Sequence, residues 1–420
     1  EGKMVREEDL ERCLDIQALT GGSRPLGQIL VEQSLISAEE LDDILQLQEQ
    51  RRAVVPPVVP VEGAGSERFF AAAVAAGATE LILSEGRSTM VRVAGQLREL
   101  EEDVLDAPEV WQFVRQYMGD NALEVLADQK SINQAFHVPH VGRGRIRAFR
   151  HFDGACVIVR LQPEHVRPPR EAGLDDQVLS CLDHGKGLIL ITGEAGSGIT
   201  STMATMLGEI VKKDPQLILI LDETIEYEIP KGNAVVVTRR MGEDSQDYET
   251  ALSAAIRDNP DVVVVGDVST PGRFDLALRA AGDGRLVIAA LHARSVQAAL
   301  RRALNFYYSY DVPRIRTMLA SVLNCMLRVQ LVPDKHGVTQ FLATELLVMD
   351  QAARSVVRDG PLDRINLLLN MEGTASGHSM DATLEGLLRR GDVTFEDAFH
   401  LADDKSRILK KFKGKAAAKS

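Results

Sequence analysis

The chain has 420 residues, of which 45% are hydrophobic and 26% charged, and its formal net charge is −13 at pH 7. This length and composition predict two or three folded domains, and the negative charge argues against nucleic-acid binding, because a phosphate backbone is held by clustered lysine and arginine. No apolar run is long enough for a membrane span and no signal peptide opens the sequence, so we expect a cytoplasmic protein, or one peripheral to the inner membrane.

An internal repeat with helical periodicity occupies the first fifty residues. The stretch EEDLERCLDIQ at 7–17 aligns with AEELDDILQLQ at 38–48, and their leucines coincide. Both copies carry apolar residues at helical spacing, which predicts a helical module over 1–52. The stretch at 53–67 is rich in Pro, Gly and Val without helical or strand periodicity, and it predicts a linker.

Two folded domains and a tail are predicted after the linker. Residues 68–170 combine an apolar helix with short strand-like runs such as MVRVAGQL and ACVIVRL, which indicate a small α+β domain. Over 171–404, runs of Leu, Ile and Val alternate with helical stretches, as in a parallel sheet buried on both faces, so an α/β domain is predicted. The basic stretch at 405–420 predicts a solvated, disordered tail, with an acidic partner or a membrane surface as the alternative.

Within the α/β domain, the residues from Pro313 to about Asp404 are expected to be helices packed beside the sheet. Its strands are predicted at Gly187–Thr192, Leu217–Leu221, Ala234–Val237, Val262–Val265 and Leu286–Leu291.

A phosphate-binding loop is predicted where the strand GLILIT runs into GEAGSGITST, Gly193–Thr202, and then into an amphipathic helix. In the pattern GxxxxGK[ST], glycines let backbone amides surround the phosphates and Ser or Thr holds magnesium. Ile199 stands where the pattern has its lysine. A glycine-rich turn that only packs a helix on a sheet is the alternative, but strand, spacing, threonine and helix together favour nucleotide binding. The expected binding residues are Gly193, Gly196, Ser197, Gly198, Thr200 and Ser201.

Four further motifs follow in order: LDETIEY, AIRDNPDVVVVGDVST, GRLVIAALHARS and GHSMDATLEGLLRRGDVTFEDAF. They resemble the acidic box, the Walker B segment, the histidine box and the C-terminal segment of the hexameric secretion and pilus-retraction ATPases of bacteria, the PilT branch of the GspE family. The resemblance implies a RecA-like P-loop domain preceded by a PAS-like α+β domain. It also implies ATP and Mg²⁺ as cofactors and a six-membered ring.

The resemblance assigns candidate roles to acidic residues and one histidine. Asp267 stands at the position of the catalytic glutamate that orients water, one methylene shorter than the family residue. The other catalytic candidates are Glu223, Glu226 and His292, and the candidate magnesium ligands are Thr200 and Asp222. Ordinary loop acidity is the alternative for the carboxylates, and a structural histidine at a strand end is the alternative for His292.

Three arginines of the small domain fall where the family places arginines that reach the nucleotide of a neighbouring subunit. The planar fork of an arginine can pair with two phosphate oxygens at once, which suits this role. A solvated sheet face with cross-strand partners is the alternative. The three are Arg145, Arg147 and Arg160.

The replacement at Ile199 predicts a weakened site. A hydrogen bond to a charged group contributes about 1.5–3 kcal/mol, so its loss weakens nucleotide binding by about ten- to a hundredfold, and hydrolysis should suffer more, because charge grows on the phosphates in the transition state. Arg285 also replaces the first histidine of the histidine box. We therefore expect an accessory ring subunit of a type IV pilus or type II secretion-like machine, as a homo-hexamer or in a mixed ring with an active paralogue. The alternative is an active retraction motor with a compensated site.

The N-terminal module supports a third hypothesis. Residues 24–48 resemble one unit of the N-terminal domain of GspE-like ATPases, some of which bind cyclic-di-GMP. Leu26 and Gly27 match the Leu-Gly turn of that domain, but Pro25 separates the turn from Arg24. Helical docking onto an inner-membrane platform protein is the alternative role for this module.

Overall fold

The computed structural model of the chain describes residues 26–33, 35, 37, 66–129, 131–138, 142–151, 154–162, 166–222, 229–230, 232–240, 248–371 and 376–416. By its contacts the chain divides into two compact units, Glu1–Pro57 with Lys411–Ser420, and Val58–Lys410. In the first unit the structure describes helix α1, Leu26–Glu32, with a buried Ile29. The predicted repeat, Arg24 and Pro25, and residues 53–65 of the predicted linker lie outside the described residues.

The second unit opens with a small domain built on a six-stranded antiparallel sheet of order β3-β2-β1-β6-β5-β4. Aromatic rings of its helices fill the core, with the ring centroids of Phe70 and Phe113 5.4 Å apart. The helices are α2 (Glu67–Ala75), α3 (Ala107–Met118) and α4 (Asp120–Gln129). The strands are β1 (Glu80–Ser84), β2 (Ser88–Val93), β3 (Gln96–Val104), β4 (Ser131–Val138), β5 (Gly142–His151) and β6 (Gly154–Gln162).

A second sheet of eight strands, in the order β14-β13-β12-β7-β11-β10-β8-β9, follows in the chain. The six strands from β12 to β9 in this order run parallel, while β13 and β14 are antiparallel to their neighbours. The strands are β7 (Gly187–Thr192), β8 (Leu217–Asp222), β9 (Val235–Arg240), β10 (Val262–Val265), β11 (Leu286–Ala290), β12 (Leu323–Pro333), β13 (Gln340–Val348) and β14 (Gly377–His378).

Helices cover both faces of this sheet. The helices from residue 176 onward are α5 (Asp176–Ser180), α6 (Ile199–Ile210), α7 (Tyr248–Arg257), α8 (Pro271–Gly282), α9 (Val296–Leu304), α10 (Val312–Val322), α11 (Gln351–Arg358), α12 (Arg364–Asn370), α13 (Met380–Arg390), α14 (Phe395–Leu401) and α15 (Lys405–Ala416). None of the described helices is both long and apolar enough to cross a membrane.

The purely apolar runs are explained by burial on both faces. Along β7, Leu188 and Leu190 belong to one hydrophobic cluster with α8 and α9, whereas Ile189 and Ile191 belong to another with α6. Alternate residues of a strand point to opposite faces, so each face has its own core. The predicted α/β class is confirmed, and the five predicted strands agree with the observed ones to within a few residues at their ends.

The prediction of helices alone from Pro313 to Asp404 was wrong. Strands β12, β13 and β14 lie in this stretch and extend the sheet. Helix α10 passes directly into β12 at Leu323, where the backbone turns to ψ 127° without a Gly or Pro between them. A continuous apolar run does not distinguish a buried strand from a buried helix, so the pattern concealed this boundary.

The basic stretch also differs from its prediction as a disordered tail, since its described part forms α15. Ile408 and Phe412 lie four residues apart, on one side of the helix, and both are buried. The apolar residues within this basic run therefore give the helix a side to pack.

Candidate functional site

The loop between β7 and α6 closes tightly on itself. A Cβ atom on Gly193 would lie 2.7 Å from the carbonyl oxygen of Val329 on β12 and in steric conflict with Ser197 Oγ. Ser197 itself is only 2% exposed. Only glycine fits at position 193, so the neighbouring strand fixes the start of the loop.

The rest of the loop has the backbone that a phosphate-binding loop requires. Gly196 and Gly198 have φ angles of +79° and +99°, which side chains other than glycine rarely adopt. Gly198 is the N-cap of α6, so the first amides of this helix point into the loop without a side-chain cap. Thr200 is half-buried and Ser201 exposed, and both line the cleft in front of the loop. This geometry offers backbone donors to an anion.

Ile199 is the first residue of α6 and belongs to the apolar core as well as to the cleft. It is 8% exposed and packs in the cluster that contains Met203 and Leu346. A branched hydrocarbon therefore occupies the place where the phosphate-binding pattern has a cation. The packing accounts for the side chain without any contact to a ligand.

Three of the predicted catalytic and metal-binding residues meet at the carboxyl ends of the parallel strands. Asp222 ends β8, Asp267 follows β10 and His292 follows β11. The Asp222 carboxylate lies beside Gly266, since a Cβ atom added to Gly266 would be 2.5 Å from that carboxylate. His292 Nδ1 lies 3.4 Å from the carbonyl oxygen of Gly193 in the loop. The parallel topology thus brings acidic groups and an imidazole beside the loop.

Asp267 is held by contacts on both of its oxygens. Its Oδ1 accepts a hydrogen bond from the Ser269 amide at 3.0 Å, and its Oδ2 lies 2.9 Å from Nη1 of Arg273. The Arg273 guanidinium also stacks on the ring of Tyr248, 4.0 Å from its centroid. This arginine could not be predicted from the sequence, because its pairing with Asp267 across the N-terminal turn of α8, which Thr270 caps, leaves no recognisable motif.

The cleft in front of the loop has a volume of about 2000 Å³ and extends between the two sheets of the second unit. Arg145 and Arg160, paired across β5 and β6, line it from the small domain. Arg167 and Arg170 line it from the connection between the sheets, and they were not anticipated from the sequence. The whole described lining contains six arginines and seven acidic residues, so the net charge of the cleft does not select an anion. The feature that favours an anionic occupant is the row of backbone amides at the glycine loop.

Other predicted residues do not join this group. Arg147 is exposed, with its guanidinium 5.7 Å from the Phe149 ring, and it is not among the residues that line the cleft. Arg285 precedes β11, at the opposite end of the strand from His292, and it donates to the Ile256 carbonyl oxygen at 2.9 Å. Glu223 and Glu226 lie outside the described residues.

The C-terminal motif supports the framework. The Asp381 carboxylate accepts hydrogen bonds from the amides of Asp403 and Asp404, at 2.9 and 3.0 Å, just before α15 begins. Glu385, one turn further along α13, accepts from Arg407 Nε at 2.6 Å. Burial raises the pKa of the Asp381 carboxyl, and the two amides oppose that shift. These contacts fix α15 against α13.

A buried carboxyl group lies on β13 behind the histidine box. Glu345 Oε1 accepts from the Val296 amide at the start of α9, at 3.3 Å, and its Oε2 is 3.2 Å from Arg328 Nη1. Burial raises the pKa of Glu345 to about 7, although the Arg328 charge acts in the opposite direction. Glu345 therefore loses its proton at a higher pH than an exposed carboxyl group does.

The residues at the cleft fit the chemistry of a magnesium–nucleotide complex. No cluster of three His, Cys, Asp or Glu side chains suitable for a metal occurs in the described ranges. Magnesium needs none, because it is commonly held by phosphate oxygens with one or two protein oxygens. The Thr200 hydroxyl and the carboxylates of Asp222 and Asp267 all border the cleft and offer oxygen ligands.

Comparison with known proteins agrees with this geometry. The sequence profile of the family described as Type II/IV secretion system protein matches residues 141–362. A twitching motility protein of Neisseria gonorrhoeae is 28% identical over 310 residues, or 74% of this chain and 83% of the relative. The type IV pilus retractation ATPase PilT of Pseudomonas aeruginosa is 28% identical over 322 residues, which are 77% of this chain and 93% of that relative. The crystal structure of the pilus retraction motor PilT with bound ADP superposes with a TM-score of 0.72 at 28% identity, covering 83% of this chain and 100% of that one.

Proposed function

The chain belongs to the Type II/IV secretion system protein family, and we propose that it is a PilT-like, nucleotide-binding ring subunit with impaired ATP hydrolysis. The relatives described as a twitching motility protein and as a pilus retractation ATPase support a role at a type IV pilus or a related secretion machine. A structure with bound ADP at 28% identity supports a nucleotide as the occupant of the cleft.

The main support for the proposal is that the glycine loop has the backbone conformation of a phosphate-binding loop although the cationic side chain of that pattern is missing. Gly193, Gly196 and Gly198 provide the backbone for a phosphate cradle, while Ile199 takes the lysine position and packs into the core. Backbone amides at a helix N-terminus bind anions without a side-chain charge. Binding can therefore persist while the charge stabilisation needed for hydrolysis is lost.

A second feature points the same way. The carboxylate proposed to orient water, Asp267, is already tied to Arg273 and to the Ser269 amide. Its side chain is also shorter than the family's glutamate, and a misplacement of about 1 Å can cost on the order of a hundredfold in rate. In this proposal a bound Mg²⁺ would neutralise phosphate charge, and Thr200 with Asp222 would hold it.

An active motor with a compensated site is the second candidate, and the arginines of the cleft favour it. Arg167 and Arg170 border the same space as the loop, and their guanidinium groups could supply phosphate contacts in place of the missing ammonium. Arg145 and Arg160 are proposed to contact the nucleotide of a neighbouring subunit in a ring. An active paralogue in a mixed ring and an inner-membrane platform protein are the proposed partners.

ATP binding and ATP hydrolysis, measured on the same preparation of the full chain with Mg²⁺, separate these proposals. Under the leading proposal we expect saturable ATP binding and phosphate release at least about a hundredfold slower than in an ordinary P-loop motor. Hydrolysis at the rate of an ordinary P-loop motor would overturn it in favour of the compensated site. Absence of binding at millimolar ATP would contradict both.

A further inference from the structure

Helix α15 and the residues after it carry a charge opposite to that of the chain. From Lys405 to Ser420 there are seven basic residues and no acidic one, in a chain whose net charge is −13. Six of the seven are lysines. The rest of the chain is therefore more acidic than its total charge indicates, and this basic segment is distinct from it.

The first half of the helix is held in place by the buried Ile408 and by the only arginine of the helix. Ile408 is fully buried and Phe412 is 6% exposed. Arg407 is engaged by Glu385, at 2.6 Å, and by the Asn370 side chain, also at 2.6 Å. These contacts fix the orientation of the helix, so the lysines on its other sides have a defined position.

Lysines occupy the side of α15 that remains accessible. Lys410 and Lys411 are both exposed. Hydrogen bonds from Ser406 and from the Arg407 amide lower the pKa of the Asp404 carboxyl, and the Lys410 charge adds a smaller effect in the same direction. Lys413 and Lys415 continue the basic run along the sequence. The exposed side of the helix is therefore a cationic face, defined here by Lys410 and Lys411.

The chemistry of this face matches a diffuse anionic surface. A lysine ammonium is a strongly hydrated point charge on a flexible stem, without the planar fork that selects individual carboxylates or phosphates. Protein interfaces depend on buried aromatic or aliphatic anchors, and in the described part of α15 Ile408 and Phe412 are already buried and Leu409 is half-buried. The cationic face can therefore attract a partner mainly by charge, without a requirement for precise geometry, and the headgroups of acidic lipids are attracted in this way.

We propose that the cationic face of α15 docks this chain on a bilayer that contains anionic lipids. The attachment is peripheral and reversible, since the apolar side of the helix is already packed and does not insert. Each lysine near such a surface contributes about fivefold to the affinity. The acidic remainder is repelled by the same surface, so the contact also orients the protein with α15 toward the membrane.

Vesicle co-sedimentation of the full chain tests this proposal. The probes are vesicles of phosphatidylcholine with about one quarter phosphatidylglycerol, and vesicles of phosphatidylcholine alone, at about 0.1 M and about 0.5 M salt. The test variant is Lys410→Glu/Lys411→Glu. The matched control is Lys212→Glu/Lys213→Glu, which reverses the same charge at two exposed lysines that follow α6. Thermal unfolding verifies that each variant is folded. If Lys410→Glu/Lys411→Glu is not folded, Lys410→Ala/Lys411→Ala is used in its place.

The proposal expects binding to the anionic vesicles only, with loss at the higher salt. Reversal at 410 and 411 should weaken binding at least about 30-fold, whereas the control should bind like the unmodified chain. Failure to bind anionic vesicles at low salt, or equal binding by the two variants, would overturn the proposal. Binding to a double-stranded DNA probe without vesicle binding would also overturn it and assign the face to nucleic acid. None of these outcomes depends on whether the cleft binds a nucleotide.

Discussion

Restoring the missing cation by Ile199→Lys probes the cradle most informatively. A hydrogen bond from the new ammonium to phosphate should contribute about 1.5–3 kcal/mol, which corresponds to ADP binding tighter by about ten- to a hundredfold. Ile199 borders the cleft as well as the core, so a lysine there can keep its stem in the apolar cluster and turn its end toward the phosphates. Replacing a side chain that is 8% exposed should lower the free energy of unfolding by about 1–3 kcal/mol.

The control for this substitution is Ile199→Met, which has similar length and no charge. Both variants should lose stability in urea unfolding, but only the lysine variant should gain affinity when a fluorescent ADP analogue is titrated with Mg²⁺. The comparison separates charge from packing. If the lysine and methionine variants bind ADP equally, the claim that Ile199 weakens the site electrostatically is refuted.

Three more predictions concern the surroundings of the site. Arg273→Gln should release Asp267, so that Mg²⁺ strengthens ADP binding more than it does in the unmodified chain. The control is Arg279→Gln, at an exposed position on the same helix. If Mg²⁺ strengthens ADP binding equally in the two variants, the prediction is contradicted. Glu345→Gln should reduce the fall in stability between pH 4.5 and 7. Burial raises the pKa of Glu345 to about 7 from 4.5, so the native state holds this proton more tightly than the unfolded chain does. The protonated carboxyl therefore contributes up to about 3 kcal/mol of stability, which is lost as the pH rises through that window. Thermal unfolding against pH measures this, and an unchanged slope would count against it. Asp381→Ala should lower the free energy of unfolding by about 1–3 kcal/mol in urea, because two amides lose their acceptor; a change below about 0.5 kcal/mol would show that water replaces the carboxylate.

The sequence was most informative where one physical cause dominates. Runs such as VVVV at 262–265 predicted buried parallel strands, because burial on both faces allows only apolar residues. The glycine pattern around Gly196 predicted the loop, because positive φ angles leave few alternatives. Asp222, Asp267 and His292 were singled out by their resemblance to family motifs, and in the structure they lie at the carboxyl ends of β8, β10 and β11.

The sequence was least informative where distant segments decide the outcome. The strand character of 323–333 depends on pairing with β7 and β13, which an apolar run does not encode. The pair between Asp267 and Arg273 depends on how α8 begins. Arg145 and Arg147 lie on the same face of β5, as residues two apart on a strand do, but the cleft reaches only Arg145. The described part of the basic stretch is a helix and not a disordered tail, and two of its apolar residues, Ile408 and Phe412, are buried.

The central claim is that the glycine loop still binds phosphate without its lysine, and calorimetric titration of ADP tests it directly. Three proteins are compared: the unmodified chain, Gly193→Ala, whose new Cβ would collide with Ser197 and approach Val329, and Gly282→Ala, whose Cβ would meet nothing within 4 Å. We expect saturable binding of ADP by the unmodified chain and by Gly282→Ala, and at least about tenfold weaker binding by Gly193→Ala. Absence of binding by the unmodified chain, or equal binding by all three, would contradict it.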